Sequence, residues 1–95
     1  MKEPLILALD IGSSSVRAAI YDADANPIPR ASVKIERSFR VTPDGGFEID
    51  SSLAIEQVVT AIDQILDKTS KLKGEIDYVA SCSFWHSLVG VDPKG

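Results

Sequence analysis

The sequence predicts an α/β fold: a three-stranded antiparallel meander, one amphipathic helix, and a fourth strand parallel to the first. Three observations predict it. Two short apolar runs near the start are separated by a glycine and three serines. A third run alternates apolar and charged residues with period two, the pattern of a strand with one packed and one wet face. A helical stripe then leads into a segment apolar on both parities, as in a strand covered on both sides.

The elements follow in order. Residues 5–10 read as a buried strand ending in Asp10, and residues 16–21 as a second strand closing on the turn-rich segment 22–27. Residues 30–40 form the third, with Ala31, Val33, Ile35 and Phe39 on one side and Ser32, Lys34, Glu36, Ser38 and Arg40 on the other. Those charges suit a sheet edge. The first strand is expected innermost. Thr42-Pro43-Asp44-Gly45-Gly46 is a loop, and Asp50-Ser51-Ser52 a helix start, with Asp50 or a serine as N-cap. Ile55, Val58, Val59, Ile62, Ile65 and Leu66 form the stripe expected to cover one sheet face, and Gly74 the stop. Residues 76–84 are the buried fourth strand, brought beside the first by a crossover.

Chemistry concentrates where strand one meets strand two. Asp10 closes a strand, and a lone strand-end carboxylate suits Mg²⁺, which keeps its waters and takes few protein ligands. Gly12 admits close backbone approach or a positive φ. Ser13, Ser14 and Ser15 offer hydroxyl and N–H donors that a tight turn can converge on an anion. Arg17 can fork onto phosphate oxygens. No Gly-Lys-Ser/Thr or G-x-G-x-x-G signature is present, so a P-loop and a dinucleotide fingerprint are excluded. Turn hydrogen bonds made by Asp10 and the serines are the competing account of the same residues.

The run Leu7-Ala8-Leu9-Asp10-Ile11-Gly12-Ser13-Ser14-Ser15-Val16-Arg17 resembles the first phosphate motif of the FGGY carbohydrate kinases, with Ser13 where threonine is commoner. A second segment, Phe84-Trp85-His86-Ser87 followed by residues 88–92, is similar to the family's Gln-Met-His-Gly-like segment, strand and acidic turn. It departs from that pattern at Phe84, Trp85 and Ser87, a form similar to a gluconokinase-like branch. On residues alone, Trp85 and His86 fit core packing as well as contact with a sugar. The resemblance implies a ribonuclease-H-like, actin-like ATPase fold and an ATP-dependent, magnesium-using kinase acting on a sugar or sugar-acid hydroxyl. It implies that Asp10 holds the metal, Gly12 to Ser15 and Arg17 hold ATP phosphates, and Trp85 and His86 line the sugar pocket. It places the catalytic base and adenosine pocket outside residues 1–95, which correspond to the amino-terminal part of the family's first domain. The terminal Asp92-Pro93-Lys94-Gly95 turn, with no strand after it, fits such a piece, expected to be inactive alone and to self-associate. An actin-like or chaperone-type ATPase shares Asp10 to Gly12 but gives Trp85 and His86 no role, and a non-catalytic interaction module with a degenerate phosphate loop is a third reading.

Composition narrows the partners. A net charge of −4 with no basic cluster argues against a nucleic-acid surface. The opening apolar run is too short for a signal or membrane segment. Cys82 stands alone, so no internal disulfide forms, and a reducing, cytoplasmic setting is expected.

Overall fold

Leu5, Leu7 and Leu9 share one face of an alternating strand, and all three are buried in the computed structural model, which describes residues 3–84 and 88–95. Strand β1 (Pro4–Ile11) pairs antiparallel with β2 (Ser15–Tyr21), and β2 with β3 (Pro27–Glu36). After a two-residue ladder of β4 (Arg40–Val41) with β5 (Phe47–Glu48) and helix α1 (Ser51–Lys68), β6 (Glu75–Ser83) lies parallel to β1. The order β3-β2-β1-β6 is the expected one, with β1 inside the sheet.

The core lies between α1 and one face of this sheet. Leu5, Leu7, Leu9, Val16, Ala18, Ile20 and Ala31 meet Ala61 and Ile65 of the helix. Asp50 caps α1, its carboxylate accepting from the Leu53 N–H at 3.1 Å. At the other end the Thr69 hydroxyl donates to the Ile65 carbonyl at 2.6 Å. The helix therefore stops at Lys68, before the expected Gly74. Glycine is required at position 74 for a different reason. It sits at φ +124°, where a Cβ would meet the Glu3 carbonyl oxygen at 2.7 Å.

Four expectations are corrected. The third strand spans Pro27–Glu36, not residues 30–40, because Arg37 leaves the strand line and turns inward. Phe39 consequently leaves that strand's face, stacking on Phe47 at 4.7 Å and meeting Phe84 edge-on at 5.8 Å. The helical stripe is only partly covered. Ala61 and Ile65 are buried, whereas Ile55, Val59 and Leu66 are exposed, because α1 packs mainly over β2 and β3. Strand β6 is for the same reason open on both faces: Tyr78 is 65% and Val79 63% exposed. Finally, residues 88–92 form no strand, although the closing turn is present, with the Gly95 N–H donating to the Asp92 carbonyl at 2.9 Å.

Arg37 is the residue that ends β3. Its Nε donates to Gln57 Oε1 at 2.9 Å, Nη2 to the Ala54 carbonyl at 3.0 Å and Nη1 to the Gly12 carbonyl at 3.2 Å. Burial pulls its guanidinium below the usual value, yet arginine stays charged at any physiological pH. Arg37→Met keeps the apolar stem and strands three acceptors. Its expected cost is about 2–3 kcal/mol, a large share of a small domain's stability, read as a lower urea midpoint. An unchanged midpoint would show that water replaces the guanidinium without loss.

Candidate functional site

The hairpin between β1 and β2 turns in three residues. The Gly12 N–H donates to the Ser15 carbonyl at 2.9 Å, closing the loop. A Cβ on Gly12 would stand 3.1 Å from that same oxygen, a tight contact that the turn would have to ease, so close backbone approach, not a positive φ, is what favours glycine. Two of the loop's other carbonyls, those of Gly12 and Ser14, are also held from the protein side. The Arg37 backbone N–H donates to Ser14 O at 3.0 Å, and its side chain to Gly12 O. Ser13 and Ser14 are exposed, and among the described residues no hydrogen bond engages their N–H groups. Carbonyls tied inward with amides unengaged is the polarity of an anion-binding turn. Ser15 differs from its neighbours: it is buried at the start of β2, and its role at the turn is the carbonyl that accepts from Gly12.

Beyond the hairpin, register assembles the site. Asp10 lies opposite Arg17 on β2 and opposite Cys82 on β6, while Arg17 lies opposite Lys34 on β3. Directly opposed residues share a sheet face, so Lys34, Arg17, Asp10 and Cys82 form one row across four strands. That face is the one α1 leaves open. The next row, Ser32, Ala19, Ala8 and Ala80, is uniformly small, and with the charged row it lines a concavity of about 850 Å³. Tyr21 stands at its far end.

Electrostatics within the row centre on Asp10. The Cys82 thiol donates to Asp10 Oδ1 at 3.5 Å, and that bond to a carboxylate pushes the thiol above its ordinary range, holding it protonated. Lys34 pairs with Glu36 at 3.1 Å along the same strand. Arg17 makes no ion pair among the described residues. No group of three or more His, Cys, Asp or Glu side chains is placed to enclose a cation there either. A single exposed carboxylate beside a wide opening fits a hydrated cation held largely by its ligand's oxygens, not a protein cage.

Of the residues singled out in the sequence, the fold brings Asp10, Gly12, Ser13, Ser14 and Arg17 to one hairpin. Trp85 and His86 lie outside the described residues. Three residues beside the hairpin carried no motif: Arg37, Lys34 and Cys82. Strand alternation alone already put Lys34 on the face of Ser32, but the pairing that brings it to Arg17 needed the register.

A second, apolar hollow of about 390 Å³ opens between α1 and the end of β6, lined by Ile55, Val58, Val59, Phe84 and Val89 among others. No helix among the described residues is long and apolar enough to cross a membrane.

Comparison with known proteins bears on the fold. No protein-family model matches the chain. It is 38% identical over 93 residues to the autoinducer-2 kinase of Photorhabdus laumondii, and 30% identical over 90 residues to that of an Enterobacter species. Both alignments take in 95% of the chain, which spans 17% of the length of these curated relatives. Among solved structures, gluconate kinase from Lactobacillus acidophilus superposes with a TM-score of 0.79 at 27% identity, covering 97% of this chain and 18% of that one. Xylulose kinase from the same organism gives 0.79 at 27%, covering 96% and 18%. Glycerol kinase of Plasmodium falciparum, at 14% identity and a TM-score of 0.74 over 85% of this chain and 16% of that one, shares the fold. By sequence and by fold the chain is similar to the FGGY carbohydrate kinases, and its mixed sheet and helix match the amino-terminal part of their actin-like ATPase fold.

Proposed function

We propose that this chain supplies the first phosphate hairpin of an ATP-dependent kinase that transfers the γ-phosphate to a hydroxyl of a sugar or sugar acid, in the cytoplasm. The observation that carries the reading is the hairpin itself: Gly12 pinned to Ser15, its carbonyls held inward, and Asp10 and Arg17 side by side beneath it. The likeness to carbohydrate kinases by sequence and by fold supports it. Ser13 and Ser14 present amides and hydroxyls to the phosphates, and Gly12 leaves the backbone open to their approach. Ser15 closes the turn. Arg17 neutralises developing charge, as positioning and electrostatics dominate phosphoryl transfer. Asp10 would hold hydrated Mg²⁺, which when bound would supply charge neutralisation. Trp85 and His86 contact the sugar by stacking and hydrogen bonding. The base that receives the hydroxyl proton comes from outside these 95 residues.

A chimera tests this with the chain as it stands. Residues 1–95 replace the matching stretch of the Photorhabdus autoinducer-2 kinase, and ATP-dependent phosphorylation of that kinase's substrate is followed. Activity is expected to survive the exchange. Asp10→Asn in the chimera is expected to lower turnover by roughly 100-fold with the fold intact, the scale of losing one pre-organised electrostatic group. Near-parental turnover would make Asp10 a turn residue only. Gly12→Val is expected to abolish nucleotide use, since its side chain drives into the Ser15 carbonyl. Unchanged ATP affinity would sink the phosphate assignment.

Taken alone, the 95-residue chain is expected to be inactive as a kinase and to self-associate through β6, the last strand of the sheet among the described residues, whose Tyr78 and Val79 are exposed. An antiparallel pairing of two copies centred on Val79 sets Asp77 against Ser81, so no acidic pair opposes it. Light scattering at rising concentration, with a hydrophobic dye in parallel, checks this. A persistent monomer that binds no dye would contradict it.

A further inference from the structure

Two cations sit directly opposite each other on the open face: Arg17 on β2 and Lys34 on β3. Like charges in that relation destabilise a sheet, whereas most exposed positions tolerate a neutral residue at no cost. Asp10, on the far side of Arg17, offsets one of the two charges by position. Lys34 has turned along its own strand to Glu36, at 3.1 Å, where both side chains are largely solvated. Glu36 in turn lies opposite Ser15, at the base of the hairpin. Glu36 thus occupies Lys34 while Arg17 is left without an ion pair among the described residues.

We propose that Lys34 is a second phosphate-binding cation of this site, and that Glu36 is its built-in competitor. A polyphosphate reaching the hairpin from the open face lies across Arg17 and draws Lys34 away from Glu36. Strands are about 4.8 Å apart, so Lys34 starts two strands from Asp10, within the span of its own stem and a chain of linked phosphates. The ligand class is the phosphate tail of a nucleotide, not an isolated monoanion, because two cations on adjacent strands are matched by two linked anionic groups. The inference rests on the hairpin reading given above and adds to it a residue that binds, one that competes, and a sign for each. Removing Lys34 weakens binding. Removing the Glu36 charge strengthens it, since Lys34 then needs no release.

The test titrates inorganic triphosphate into the isotope-labelled chain at low ionic strength and follows backbone amide shifts. Glucose 6-phosphate serves as the monophosphate arm. Lys34→Gln is expected to weaken triphosphate binding about fivefold and Glu36→Gln to tighten it about twofold, the scale of single solvated ion pairs. Lys73→Gln removes the same charge beside Gly74, which packs against Glu3 at the opposite end of β1, and is expected to change nothing. Shifts at Ser13 and Ser14 that are unaltered by either row variant would overturn the inference while leaving the hairpin reading standing. Loss of shifts at Ser13 and Ser14 in the unsubstituted chain would overturn both. Tighter binding of the monophosphate than of triphosphate would overturn the assignment to a nucleotide tail. Equal weakening by Lys34→Gln and Lys73→Gln would reduce the effect to net charge and overturn it as well.

Discussion

The guanidinium of Arg37 is a buried charge satisfied by neutral acceptors, and its three partners come from parts of the chain that share no local pattern. Gly12 belongs to the hairpin, Ala54 and Gln57 to the first turns of α1. A buried cation without acceptors would cost several kcal/mol, so the strand end, the hairpin and the helix start must keep one mutual arrangement or lose all three bonds together. That requirement sets where β3 stops, and so where Phe39 goes. It also sets which way the hairpin carbonyls face, and with them which backbone groups are left for a ligand. The Gly12–Ser15 hairpin is in this sense clamped from behind, by a residue on the opposite side from its unengaged amides.

The two faces of the sheet carry different instructions. The covered face is built of leucine, isoleucine and valine that meet Ala61 and Ile65. The open face is graded along the strands, from the charged row through three alanines and a serine to tyrosines. Small side chains there leave a hollow in place of a second core. Chemistry and packing are therefore divided by strand parity: a one-residue slip of β1 would bury Asp10 and expose Leu9.

Much of this was legible in the sequence because the signals are local. The leucine alternation of β1, the period-two run of β3, the Asp50 cap and the Gly12-Ser13-Ser14 turn each depend on residues a few positions apart. What could not be read depends on distance or on coverage. Arg37 is the one charged residue on the apolar parity of its run, but the run does not reveal its partners, which are 17 to 25 residues away. The continuous apolarity of β6 signals burial only when both faces are covered, and one 18-residue helix placed over β2 and β3 leaves β6 bare. The stripe of α1 was likewise wider than the surface it meets. The pairing of Lys34 with Arg17 needed the β2–β3 register, which shifts between Ala19 and Tyr21 where Arg30 takes a positive φ.

The short Gly12–Ser15 bond has a consequence in timing. Its two ends are three residues apart, so the loop closes with almost no chain entropy to overcome and forms with the hairpin, on the microsecond scale of such turns. The order it imposes is therefore settled while the chain folds. A ligand arriving later meets amides already in place and does not have to freeze them. Affinity at such a turn depends chiefly on how well the ligand fits and how readily it sheds water, because little conformational freedom remains to be lost on the protein's side.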